Sequence, residues 1–320
     1  MNIYIDKANL ISFIKSVHDN RYDDCKRMLK NQKNNIIINC KKDTLLNSPE
    51  FSSWIRTMTD GLKSSICFSD SLFPDRPIKG NSYNSFQTDH LSALYLIDDS
   101  ESDKIIKRGC ILLSSVGNEV ETLSKLFFND YQFTENIEVK KLKNWDFIKT
   151  YAMPLTDIIV VDQFCLSSPE INDFNIIQLL KNLSSNVRNT VINIVIFTAK
   201  ESYHSPEAKE HIKRELKKSI GCPPNVTIVL ASKNNLNEHD RNIFTNYQAI
   251  DSGDTFNYFN SRYDLITKGR NLHIKSKANS DIEKSALLLI HDMQDLICTL
   301  NNDSLFIGDR KSNYLSFNNS

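Results

Sequence analysis

The residues best suited to chemistry lie between His239 and Phe259, in the run HDRNIFTNYQAIDSGDTFNYF. An imidazole at His239 is followed by a guanidinium at Arg241, an amide at Asn246 and a glycine at Gly253. Arg241 can fork onto two phosphate oxygens more rigidly than a lysine, and its proton is effectively never released. Asn246 carries no charge with which to orient and activate a nucleophilic histidine. Downstream, Arg262, Lys268, Arg270, Lys275 and Lys277 stand against one acid, Asp264, so this stretch could supply a local cationic strand. The candidate ligand-binding set is therefore His239, Arg241, Asn246, Lys268, Arg270 and Lys275, and its chemistry is the holding of a phosphate.

Blander readings fit the same residues. His239, Asp240 and Arg241 also suit a structural ion-pair cluster at the start of a strand, and a basic edge strand also guards against edge-to-edge aggregation. Tyr247, Phe256, Tyr258 and Phe259 read as core rather than as a base-stacking platform. Two further H-x-K pairs lack the downstream residues: His211 and Lys213 point to different faces of a helix, while His273 and Lys275 share a strand face. His18, His90 and His291 have no partner at metal or triad spacing, and Asp98 with Asp99 reads as a turn. No phosphate-cradling glycine loop, H-E-x-x-H or G-x-S-x-G occurs, which disfavours nucleotide hydrolysis and serine or zinc chemistry. No metal and no cofactor is expected.

Composition narrows the setting. Lys plus Arg and Asp plus Glu are 39 each, so any attraction to nucleic acid or anionic lipid must come from a local patch. The seven cysteines are scattered and never spaced C-x-x-C, which suits reduced thiols. The beginning, MNIYIDKANL, lacks a signal peptide's basic flank and apolar core, and no apolar run is long enough to span a bilayer. A cytoplasmic protein without a transmembrane segment is expected. Abundant Asn, Ile and Lys suit an AT-rich, microbial genome.

The elements that must position these residues are of α/β type. The 320 residues favour two domains. In the first, residues 6–17 and 23–31 read as helices, 36–40 as a strand, and Ser48 caps a helix that has Pro49 in its first turn. Residues 71–90 read as a long loop, and the apolar runs 91–98 and 108–115 as a hairpin, followed by an amphipathic helix over 116–130. Near residue 150 strands and helices begin to alternate strictly. The runs 157–164, 192–199 and 226–232 are apolar without alternation, as strands of a parallel sheet buried on both faces must be. Helices fall at 173–183 and from Ser205 and Pro206 to Gly221. RNIFTNYQAI and DLITKGRNLHIKS alternate and read as an antiparallel edge. Ser280 with Glu283 forms a capping box before a helix presenting Ile282, Ala286, Leu289, Met293 and Leu296 on one face.

With this order in view, residues 157–277 resemble the phospholipase D-like superfamily. Its motif is a histidine, a lysine two residues on, an aspartate five further and a glycine seven beyond that. His239, Arg241, Asn246 and Gly253 keep the spacing and change two residue types. The chain is most similar to the phospholipase D-like C-terminal domain of MIT-domain proteins, whose members carry H-D-R, then an asparagine, a glycine and an aromatic ending like Phe256 to Phe259. Asp162 with Phe164, Thr198 and Leu230 follow that family's upstream order. The MIT domain itself is not visible.

The resemblance implies a C-terminal mixed sheet flanked by helices over 151–300, preceded by a smaller α/β domain of unknown role over 1–150 and followed by a polar tail over 301–320. It further implies a non-catalytic module that binds a phosphate-bearing ligand, namely nucleic acid, a nucleotide or a lipid head group. Two rival readings stand beside it. One is a phosphodiesterase or nuclease that completes its site as a homodimer, with His239 catalytic. The other is an interaction subunit with protein partners in a multicomponent microbial system, for which antiviral defence is a setting by general analogy alone.

Overall fold

The structure, a computed structural model, describes residues 2–46, 48–60, 64–68, 93–97, 105–107, 110–114, 116–124, 127, 134–236, 241–267, 271–300 and 302–317. The fold is α/β and divides into two units: 1–131 with 186–189, and 132–185 with 190–320. The loop expected at 71–90, His90, and the turn at Asp98–Asp99 lie outside the described residues.

The first unit is built on a six-stranded sheet of order β3-β2-β1-β4-β6-β5. Its strands are β1 (Asn2–Asp6), β2 (Asn35–Asn39), β3 (Ser65–Phe68), β4 (Ala93–Ile97), β5 (Ile105–Lys107) and β6 (Cys110–Ser114). The helices are α1 (Lys7–Lys15), α2 (Tyr22–Asn31), α3 (Asp43–Leu46), α4 (Pro49–Thr59) and α5 (Glu119–Ser124). Ser48 caps α4 as expected, its side chain accepting from the Phe51 N–H at 3.4 Å. Strand β1 was not among the expected elements: three apolar residues are too few to show a period. It is nevertheless the parallel centre of the sheet, with Tyr4 stacked on Tyr95 of β4 at 4.9 Å.

The expected hairpin of 91–98 with 108–115 is corrected. β4 and β6 are parallel neighbours (Ala93 opposite Cys110), and the antiparallel partner of β6 is β5, inside the segment read as the turn. Two apolar runs separated by turn-forming residues do not reveal which runs pair.

The second unit carries an eight-stranded mixed sheet, β14-β10-β9-β8-β11-β12-β13-β7. Strands β8 (Asp157–Val161), β9 (Asn193–Ala199) and β10 (Asn225–Ala231) are parallel, and each is buried along nearly its whole length, as their unbroken apolar runs require. β11 (Arg241–Thr245), β12 (Gln248–Ser252), β13 (Asn271–Ser276) and β7 (Thr134–Glu138) continue antiparallel from β8. β7 joins this sheet, so the division between units falls before residue 134 and not at 150. Residues 302–317 are no polar tail: β14 (Phe306–Gly308) pairs with β10, and Leu315 is buried in the core.

Helices α6 (Pro169–Phe174), α7 (Ile176–Leu183) and α8 (Ala208–Ile220) follow the parallel strands. Gly221 ends α8 at φ 90°, the left-handed conformation that favours glycine. α8 begins at Ala208, a turn later than Ser205 and Pro206 suggested, because the Ser205 hydroxyl accepts from the Asn172 amide instead of capping. The helix α9 (Ser280–Thr299) contributes Ala286, Ile290, Leu296 and Ile297 to one core cluster with Ile159, Val161, Val195 and Phe244 of β8, β9 and β11. Its cap is Asn279, which accepts from the Asp281 and Ile282 N–H groups. The expected capping box of Ser280 with Glu283 does not form, and Glu283 is buried.

Candidate functional site

In a parallel sheet the carboxyl ends of the strands are where loops and helix starts converge, and that edge is where α/β folds hold ligands. Asp162 is the first residue past β8 and is fully buried. One oxygen accepts from the Phe164 N–H (2.8 Å), the other from the Phe256 N–H (2.7 Å), and the Thr255 hydroxyl reaches both, at 3.1 and 2.8 Å. Burial pushes its carboxyl above the ordinary range, opposed by these hydrogen bonds and by the charge of Arg241. The effect is to clamp the Asp254–Asn257 segment to the end of β8.

Arg241 opens β11. Asn242 is opposite Val161, so the register continued by one residue sets Arg241 opposite Asp162, while on its other side it pairs with Ser252. Its Nη1 donates to the Gly253 carbonyl at 3.0 Å, and its Nε is buried with no partner among the described residues. The adjoining loops are tied down. Gln163 donates to the carbonyls of Lys233 and Leu236, the Thr198 hydroxyl donates to the Gln163 carbonyl at 3.1 Å, and the Asn257 amide donates to the Phe164 carbonyl at 2.7 Å. The Lys233 ammonium lies 5.5 Å from the Phe164 ring centroid. Arg241 and Lys233 therefore place two cations at the carboxyl-end edge.

The aromatic ending is core. Trp145 stacks on Tyr258 at 4.8 Å and meets Phe259 edge-on at 5.9 Å, and Tyr247, Phe256, Tyr258 and Phe259 are all buried. Asn175 pins this segment, accepting from the Phe259 N–H at 2.9 Å and donating to its carbonyl at 2.7 Å. The Tyr258 hydroxyl, 2.6 Å from Ser252 Oγ, is pushed well above the ordinary tyrosine range by burial.

Of the six expected site residues, the three that are described, Arg241, Asn246 and Lys275, are not brought together. Arg241 is at the carboxyl-end edge, while His239, Lys268 and Arg270 lie outside the described residues. Asn246 sits at the other end of β11, roughly 16 Å along the strand at about 3.3 Å per residue. It is fully buried, its Oδ1 accepting from the Thr156 and Asp157 N–H groups at 2.7 and 3.2 Å. It is thus an architectural residue, and its lack of charge has no bearing on chemistry beside Arg241. Lys275 is opposite Ala249, whereas Arg241 is opposite Ser252, and the odd offset puts them on opposite faces of the sheet. There Asp251 holds both Lys275 Nζ at 2.5 Å and His273 Nδ1 at 2.7 Å. Lys277 is no surface cation either: it is fully buried, donating to the Thr245 carbonyl at 3.1 Å.

The other H-x-K pair is dispersed, with His211 on Asp173 at 3.1 Å and Lys213 on Asp309 at 2.5 Å. Gln163, Lys233 and Thr255 were not singled out from sequence. For Gln163 and Lys233 the usable signal was their place just beyond the ends of buried parallel strands. No known protein-family model matches the chain, and no curated protein is significantly similar to it.

Proposed function

We propose that the second unit binds a phosphate-bearing ligand at the carboxyl-end edge of β8, β9 and β10 and does not hydrolyse it. The observation that carries this reading is Arg241. It is a partly exposed arginine on that edge, and among the described residues its guanidinium makes one hydrogen bond, from Nη1 to a backbone carbonyl. The acid opposite, Asp162, is already committed to Phe164, Thr255 and Phe256. A phosphate would supply the acceptors that the fold withholds from Arg241. The order of elements supports the same reading. Three parallel strands lead into a hairpin that starts at Arg241 and ends at Gly253, so the two motif positions meet at one edge. A guanidinium holds its proton throughout, which suits binding and not proton transfer.

The test is binding of the full chain, at physiological salt, to three separate probes: fluorescent oligonucleotides, a mononucleotide, and vesicles carrying a phosphoinositide. One of them should bind, and Arg241→Ala should weaken it by about ten- to a hundred-fold, the loss of a charge-assisted contact of roughly 1.5–3 kcal/mol. Absence of binding in all three arms, or an affinity indifferent to Arg241→Ala, defeats the reading. Phosphodiester cleavage that His239→Ala abolishes would replace it with the phosphodiesterase reading.

A further inference from the structure

Helix α1 of the first unit carries more apolar surface than its own packing uses. Leu10 and Phe13 are buried, while Ile11 and Ile14, one turn apart on a different stripe, are only partly covered. Val17, just past the end of the helix, is 56% exposed. An amphipathic surface helix buries one stripe and turns polar residues outward. Ile11, Ile14 and Val17 instead line a groove of about 1100 Å³ between α1, α2 and α4, and the buried rings of Phe51 and Trp54, stacked at 6.2 Å, line it as well.

The groove also holds an excess of positive charge. Lys7, Lys15 and Lys26 line it, and none of them forms an ion pair among the described residues; Lys26 rests over the Tyr22 ring at 5.7 Å. Two acids stand against these three cations, Asp23 and Glu50, and Glu50 already accepts from the Ser48 hydroxyl at 2.6 Å. Lys7 and Lys15 are the two ends of α1, about 12 Å apart along its axis at roughly 1.5 Å per residue, with Ile11 and Ile14 between them.

Small-molecule pockets span roughly 300–1,000 Å³, and this groove is larger than that. An apolar channel between helices is how folded domains take up an amphipathic helix, which lays its apolar face into the channel. We infer that the groove docks an acidic amphipathic helix of a protein partner. Its apolar face lies on Ile11, Ile14 and Val17, and carboxylates two turns apart on it meet Lys7 and Lys15. The unpaired ammoniums select an acidic helix over a basic one, since like charges facing each other across an interface are costly. The surface belongs to the first unit and stands whether or not a phosphate binds at Arg241.

The probe is a labelled synthetic peptide of about 15 residues, long enough to form a helix alone, with leucines on one face and glutamates on the other. It is titrated into the full chain by fluorescence anisotropy. Beside it are run an isomer with the leucines scrambled, a version with lysine in place of every glutamate, and dodecanoate. The acidic amphipathic peptide should bind saturably, and the scrambled and lysine versions should each bind weaker by about tenfold or more. The double variant Lys7→Glu/Lys15→Glu, which changes only solvent-reaching side chains, should lose about tenfold or more in affinity for the acidic peptide with its circular dichroism unchanged. No saturable binding of the acidic peptide to the parent chain overturns the inference, and so does an affinity that the scrambled or lysine version matches. An affinity indifferent to Lys7→Glu/Lys15→Glu overturns it as well. Saturable dodecanoate binding without peptide binding would give the groove to an acyl chain instead.

Discussion

Arg241 and Asp162 face one another across the β11–β8 register without forming an ion pair, because each is committed elsewhere: Asp162 to Phe164, Thr255 and Phe256, Arg241 to the Gly253 carbonyl. Asp162→Asn would keep one acceptor oxygen and turn amide hydrogens toward one of two backbone N–H donors, Phe164 or Phe256, that each need an acceptor. It should cost about 1–3 kcal/mol. Chemical denaturation of the variant beside the parent measures it, and an unchanged midpoint would show that the clamp contributes nothing.

Arg241 itself contributes little to the fold. Its removal loses one hydrogen bond to a carbonyl, so Arg241→Ala should lower stability by about 1 kcal/mol, or roughly 2–4 °C in Tm for a unit of this size. The loss of phosphate affinity should be far larger. Arg241→Lys should recover part of the affinity through its charge and not the rest, since an ammonium lacks the planar fork. Melting and binding curves on the same preparations separate the two effects. A large Tm loss with unaltered affinity would make Arg241 architecture.

Asn246 should behave in the opposite way. Asn246→Ala strips the acceptor from the buried Thr156 and Asp157 N–H groups and should destabilise by about 2–4 kcal/mol without touching affinity. Asn246→Asp restores the aspartate of the motif, yet it buries a second carboxylate next to the buried Asp157 and should also destabilise, with no gain of phosphodiester cleavage. Denaturation curves and a chromogenic diester assay check both halves of this expectation.

Lys277 makes stability depend on pH. Burial lowers its ammonium from 10.5 to about 8, against the pull of Glu283 and Asp157. Between about 8 and 10.5 the unfolded chain therefore holds more protons at this position than the folded one, and its contribution to stability rises with pH across that window. The full difference is about 3 kcal/mol. Cys25 works in the other direction, because burial raises its thiol from 9.0 to about 12 and stability falls as the unfolded thiol ionises. The Lys277 effect must accordingly be read as the difference between parent and Lys277→Met. Unfolding free energies at pH 7.5, 9 and 10 should converge from below as the parent gains on the variant. Parallel profiles would show that burial does not lower the Lys277 ammonium.

What the sequence by itself determined is local. The unbroken apolar runs of β8, β9 and β10, the Ser48–Pro49 start of α4, the glycine that ends α8 and the core character of Tyr258 and Phe259 all follow from residue types at short spacing. Such features are set by the solvent each side chain must avoid and by backbone conformations only certain residues adopt. Pairing between distant strands was decided by the tertiary structure alone. β4 chose β6 as a parallel neighbour, β7 paired with β13, a strand more than a hundred residues away in sequence, and residues 306–308 closed the far edge. The candidate site divides along the same line. The motif spacing led to Arg241, but a strand advances about 3.3 Å per residue and turns its side chains over at every step. Its register therefore sent Asn246 to the far end of the sheet, set Lys275 on the opposite face and brought Asp162, from another strand, opposite Arg241.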